Sequence, residues 1–139
     1  MAENEERFRS AFFAARSGAW NWDLKTDALT WSHGLERIFG LDKVDAGLTH
    51  DAILKVIRVE DRQRVVESID ACLRREGEHD IEYRVTWPDS TIHWIRETGD
   101  LVLDEDNEPV RMLAIVSDIT KRKALENELS RVLGSVQAN

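Results

Sequence analysis

The chain has 139 residues, 27 of them acidic and 19 basic, for a formal net charge of −8; that length fits one domain whose single core buries about two thirds of the unfolded chain's surface. The acidic balance repels phosphate backbones and argues against nucleic-acid partners, while no run is apolar enough to span a bilayer and nothing reads as a secretory signal, so no direct membrane contact is expected of this segment. Its one cysteine, Cys72, excludes an internal disulfide and suits a reducing cytoplasm.

Residues 3–16 place Phe8, Ala11, Phe12 and Ala15 at helical spacing, with Glu3, Glu5, Glu6 and Arg9 around the rest, which predicts an amphipathic helix that stops at Ser17-Gly18. Residues 19–24 alternate, with Trp20, Trp22 and Leu24 on one face, and read as a strand. Lys25-Thr26-Asp27 turns the chain into a second short strand over 28–31. Ser32 is expected to cap a helix reaching Phe39, with Leu35, Ile38 and Phe39 inward and Gly40 as its stop. After a loop over 41–48, Thr49 caps a short helix carrying Ile53, Leu54 and Ile57. A longer helix over 60–75 has Val65, Val66, Ile69, Cys72 and Leu73 on one stripe and is expected to end at Gly77.

Three alternating apolar runs follow, over 81–87, 91–103 and 110–117. Pro88-Asp89-Ser90 separates the first two, and 104–109, which contains Asn107 and Pro109, separates the last two; this is turn chemistry and predicts an antiparallel meander. In the last run both alternating sets are apolar: Val110, Met112, Ala114 and Val116 on one, Leu113 and Ile115 on the other. Both faces of that strand are therefore expected to be covered. The order strand, strand, helices, three strands predicts an α+β domain: a five-stranded antiparallel sheet with helices on one face, flanked by a helix at each end. The last helix, over 121–139, starts straight after the strand, with Asp118 or Thr120 free to accept its first N–H groups. Arg122, Leu125, Leu129, Val132 and Val136 fall at three- and four-residue steps, the spacing of a parallel dimer seam with Arg122 as its polar exception; a helix folded back on its own sheet is the other reading.

No catalytic constellation can be assembled: there is no nucleophile with a base, no paired carboxylates in a cleft and no glycine-rich phosphate loop. His33, His50, His79 and His93 form no ligand-spaced pair, so no metal site is expected. His93 alternates with Ile95 and is expected toward the cavity side of the sheet. Cys72, on an apolar stripe, reads as packing.

The segments Glu82-Tyr83-Arg84-Val85, Pro88-Asp89, Trp94-Ile95-Arg96, 104–110 and Asp118-Ile119-Thr120-Lys121-Arg122-Lys123, in that order, resemble the C-terminal half of a PAS domain with its Asp-Ile-Thr signature. Gly18-Ala19-Trp20-Asn21-Trp22-Asp23, Trp31-Ser32, Ile38-Phe39-Gly40-Leu41 and Glu60-Asp61-Arg62 resemble the N-terminal half. The chain departs from that pattern at Ser90, where the family usually has Gly, and at Arg58-Val59, where it has His-Pro.

The resemblance implies a cap helix over 1–17, a PAS core over 18–120 and a signalling helix over 121–139. With the alternation, it implies a pocket between sheet and helices lined by Trp20, Trp22, Phe39, Ile57, Val66, Ile69, Tyr83, Val85, Ile95, Met112, Ala114 and Val116. Apart from Tyr83 and the indole N–H groups this lining is apolar, which favours a collapsed or small apolar cavity over a polar cofactor. No cofactor is evident. A small apolar ligand suits the lining; the missing Cys-Arg-Phe-Leu motif argues against a flavin photosensor, and a lone histidine is poor support for haem. Asp118, Ile119 and Thr120 would form the relay to an output domain, a histidine kinase or diguanylate cyclase, with Asp118 pairing with Arg84, Arg96 or Lys121. A homodimer would use Phe8, Phe12, Leu125, Leu129 and Val132. Two other readings stand beside the sensor: a ligand-free dimerisation module using the outer sheet face with Trp94, Leu113 and Ile115, and, on weaker grounds, a haem-based gas sensor.

Overall fold

The structure is a computed structural model, and it describes residues 16–32, 34–41 and 49–137. The expected cap helix with Phe8 and Phe12, the loop after Leu41, and His33 lie outside the described residues. The elements are β1 (Ser17–Asp23), β2 (Leu29–Trp31), α1 (Leu35–Ile38), α2 (His50–Val56), α3 (Val59–Leu73), β3 (His79–Thr86), β4 (Ile92–Leu103), β5 (Pro109–Asp118) and α4 (Thr120–Gln137).

The strands form one antiparallel sheet in the order β2-β1-β5-β4-β3. The β3–β4–β5 meander returns the chain to its beginning, so that β5 pairs with β1 from Ser17↔Ser117 to Asp23↔Arg111 and with β4 on its other side. Both meander turns are closed by an aspartate that accepts N–H groups of its own turn. Asp89 Oδ1 takes Thr91 N at 2.9 Å, and Asp104 Oδ1 takes Asp106 N at 2.8 Å and Glu108 N at 3.0 Å. Ser90 stands at φ 70°, in the left-handed region that favours glycine.

Met112, Ala114 and Val116 of β5 are buried against the helices with Tyr83, Val85, Ile95, Leu35 and Phe39. No described element covers the other set. Leu113 is 43% and Ile115 49% exposed, because the helices among the described residues lie on the opposite face. The outer face is instead an open groove whose walls include Ala19, Thr30, Trp31, Thr98 and Gly99.

Three local expectations are corrected. Ser32 does not cap α1, whose N-cap is Gly34 at φ 95° with no side-chain acceptor; Ser32 Oγ accepts Ala19 N at 2.8 Å and ties the loop to β1. α3 does not run on to Gly77. Arg75 takes the left-handed position at φ 60°, and Glu76 N donates to Ala71 O, so the helix is sealed two residues earlier. Val66, expected inward, is 40% exposed at the margin of the stripe, while Val65 and Cys72 are buried. Thr49 does cap α2, its hydroxyl accepting Ala52 N at 3.1 Å.

Arg58-Val59 gives α3 no side-chain cap, and its start is fixed by Asp61 instead. This carboxylate, 3% exposed, accepts Arg84 N, Nε and Nη2 at 2.9, 3.0 and 2.9 Å, with Arg64 Nη2 at 3.3 Å, and so clamps α3 to β3. Hydrogen bonds from the Arg84 guanidinium outweigh burial and hold the Asp61 carboxyl down from 3.8 to about 2. A carboxylate depressed in the folded state adds stability that is complete above its unfolded value and vanishes as pH falls through its folded one. Asp61→Asn should therefore lower stability by about 2 kcal/mol at pH 7, with the difference from the parent chain shrinking below pH 4 in urea unfolding curves. Ser90→Gly should raise the urea midpoint, by about 0.5–1 kcal/mol of stability, through relief of the left-handed backbone.

Candidate functional site

A cavity of about 160 Å³ lies between α2, α3 and the sheet. Of the twelve positions expected to line it, Trp20, Trp22, Ile57, Val66, Ile69 and Tyr83 do. Phe39, Val85, Ile95, Met112, Ala114 and Val116 are in the solid core with α1 and are not on its wall. Leu29, His50, Ile53, Leu54, Val65, Asp70 and Glu97 complete the lining. Its volume is close to that of a cavity that takes up benzene, roughly 150 Å³, and below the usual range of about 300–1,000 Å³ for larger ligands.

One wall holds a buried polar cluster that the sequence reading missed. Glu97 Oε1 accepts Tyr83 Oη at 2.9 Å and Trp20 Nε1 at 3.2 Å; Glu97 Oε2 lies 2.6 Å from His79 Nε2, whose Nδ1 meets Ser68 Oγ at 2.7 Å. Register builds this cluster. Tyr83 pairs with Ile95, so Glu97 lies diagonally across β4 from it, and Trp20 reaches Glu97 over the small Ala114 of the intervening β5. His79 sits opposite Gly99, where an added Cβ would come 3.0 Å from its Cδ2 and 3.0 Å from Met112 Cε. Burial, with the Glu97 charge, pushes the Tyr83 phenol well above its ordinary value, so it donates as a neutral hydroxyl at physiological pH. A signal was present in the sequence, a histidine and a glutamate in the inward phase of β3 and β4; their partners come from other strands and from α3.

The exit from the sheet is equally constrained. Asp118 N donates to Arg16 O at 3.1 Å, and Asp118 Oδ1 accepts both Thr120 N at 2.9 Å and Thr120 Oγ1. Ile119 N donates to Trp94 O at 2.8 Å, and Trp94 N donates to Thr120 Oγ1 at 3.0 Å, so β4 grips both Ile119, the one residue between β5 and α4, and Thr120, the first of α4. In the next turn Glu82 binds Arg122 Nη2 at 2.7 Å and Lys123 Nζ at 2.6 Å, and Lys123 Nζ lies 4.8 Å over the Trp94 ring. Beyond this root, Leu125, Leu129 and Val132 are exposed, Leu125 by 70%.

A family model described as PAS fold matches residues 28–116. The chain belongs to that family. Over 124 residues, 89% of its length, it is 32% identical to the sensor protein FixL of Bradyrhizobium diazoefficiens, of which those residues cover 24%. It is 29% identical over 126 residues to the probable diguanylate cyclase DgcE of Escherichia coli, covering 89% of this chain and 11% of that one. A crystal structure of a sensory box histidine kinase/response regulator from Burkholderia thailandensis matches with a TM-score of 0.73 at 29% identity, over 96% of this chain and 99% of that one. The chain thus spans a quarter or less of the length of these two curated relatives.

Within this PAS fold, two expected roles move. Asp118 does not pair with Arg84 or Arg96, which are engaged by Asp61 and Asp80, and its contact is not with Lys121; its Oδ2 lies 3.4 Å from His93 Nδ1. His93 in turn is not on the cavity wall. It stacks on Trp87 with ring centroids 3.6 Å apart, and its Nε2 lies 2.8 Å from Thr91 Oγ1, close to the hairpin tip. Cys72 is buried, and burial pushes its thiol pKa up, away from the thiolate a reactive cysteine needs. Among the described residues no group of three or more His, Cys, Asp or Glu is arranged to hold a metal.

Removing the Glu97 acceptor strands three donors. Glu97→Leu should destabilise the domain by on the order of 3–5 kcal/mol. Glu97→Gln should cost less, because His79 can exchange tautomer and accept from the new amide. Denaturant unfolding of the two variants, with the ring nitrogen shifts of His79, checks both the ranking and its cause.

Proposed function

We propose that this chain is the sensory module of a larger bacterial signalling protein of the histidine kinase or diguanylate cyclase type. It senses a small ligand in the cavity between sheet and helices and passes the change through Asp118-Ile119-Thr120 to α4 and an output domain. The PAS core is assigned to 18–120 and the signalling helix to 121–139; the module itself is not the catalyst. The observation that carries this reading is the join between β5 and α4, where β4 hydrogen-bonds both Ile119 and Thr120 and no slack separates strand from helix. A shift of β5 against β4 must move the root of α4.

Dimerisation fits the same layout. Leu125, Leu129 and Val132 are exposed on α4 and have the spacing of a seam, and a helix of 18 residues is too short to hold a stable pair unaided. The open outer face at Leu113 and Ile115 favours a second reading, in which the domain binds nothing small and only brings two copies together. No helix among the described residues is long and apolar enough to cross a membrane; we place the module in the cytoplasm.

Asp118→Ala in the parent protein should cost about 1 kcal/mol of stability, the worth of a helix-start acceptor, and abolish the response of the output activity to its signal. A response equal to the parent's would remove Asp118 from the relay. In light scattering, the paired change Leu125→Glu with Leu129→Glu should convert a dimer of the chain to a monomer without altering its circular dichroism; an unchanged mass would take α4 out of the interface.

A further inference from the structure

Among the described residues three buried side-chain polar atoms lack a hydrogen-bond partner: Asn21 Oδ1, His50 Nε2 and His93 Nδ1. His93 Nδ1 faces Asp118, and Asn21 belongs to the outer groove. His50 alone of the three lies on the wall of the cavity. It is the first residue of α2, held by the Thr49 cap, and its ring packs edge-on against Trp22 with centroids 4.5 Å apart and planes at 64°.

The rest of the wall's polarity is spoken for. Glu97 has its three partners, Tyr83 Oη and Trp20 Nε1 are two of them, and Trp22 Nε1 donates to Asp27 Oδ1 at 2.8 Å. Asp70 is exposed to solvent. A lone water on His50 Nε2 would need two to four polar partners, and few remain on this wall to supply them. A ligand that brings its own polar group to that nitrogen recovers an unmade hydrogen bond.

Resting on the sensory reading above, we propose that the cavity binds a neutral single-ring aromatic molecule carrying one hydroxyl. The ring lies among Trp20, Trp22 and Tyr83, and the hydroxyl meets His50 Nε2. Size suits a single ring, since about 160 Å³ is close to the volume of a cavity that takes up benzene. The three aromatic walls favour a flat π-system packed at offset or edge-on angles. A hydroxyl both donates and accepts, so it satisfies the imidazole nitrogen in either tautomer. A carboxylate in the same place would share the lining with the buried Glu97 carboxylate and is disfavoured by like charge.

Calorimetric titration of the chain with phenol, benzene and benzoate tests this, alongside His50→Phe, which keeps a ring against Trp22 and deletes the nitrogen. The expected result is phenol binding at least tenfold tighter than benzene, benzoate giving no heat at the same concentrations, and the variant holding phenol and benzene within twofold of each other. Equal affinity for phenol and benzene, tighter binding of benzoate, no binding of any of the three, or a phenol preference that survives in the variant overturns the proposal. Should the variant fail to fold, the ring nitrogen resonances of His50 in the unaltered chain decide: a phenol-dependent shift supports the contact and its absence overturns it. None of these outcomes touches the relay, which is judged on the output of Asp118→Ala in the parent protein.

Discussion

Everything in this fold is arranged around β5, which hydrogen-bonds to β1 on one side and β4 on the other. A central strand cannot move without breaking or dragging two ladders, so its position is the best-determined in the sheet. Its inward residues, Met112, Ala114 and Val116, supply the floor of the core, and its last residue, Asp118, is already part of the helix start. The same strand is thus floor, spacer and exit. Ala114 matters by being small, since it lets Trp20 reach across from β1 to Glu97 on β4.

Glu97 gives the interior its polar specificity. An apolar core tolerates many packings of similar volume, whereas a carboxylate that must meet a phenol, an indole and an imidazole fixes the relative positions of β1, β3 and β4. The cavity beside it survives because two of its walls, Trp20 and Tyr83, are held by that carboxylate rather than free to collapse inward. On the other side of the sheet's β3 edge, Asp61 performs the same office for α3 through Arg84.

Much of the fold could be read from the sequence because its signals are local. Period-two alternation in 81–103 and 110–117, closed by Asp89 and Asp104 turns, specifies the meander, and Val65, Ile69 and Cys72 specify the buried side of α3. Thr49 announces its helix by chemistry that acts within three residues. What stayed hidden depends on partners distant in the chain. Alternation marks Phe39 and Ile95 as buried exactly as it marks Trp22, and cannot say which buried side chain borders a void. His79 and Glu97 stand eighteen residues apart and become a pair through the β3–β4 register. A partner was sought for Asp118 among arginines and lysine, whereas the side chain that lies nearest its Oδ2 is His93, brought close by the pairing of Ile95 with Asp118. Arg75 and Ser90, both left-handed, show that a turn can be closed without the glycine its shape prefers.

Asp118 N bonds to Arg16 O, and Ser17 pairs with Ser117. The polypeptide therefore enters and leaves the core at one spot, within a single hydrogen bond of itself. A unit with its two ports side by side can be spliced into a longer chain, or strung in tandem with its own kind, without forcing the flanking segments apart.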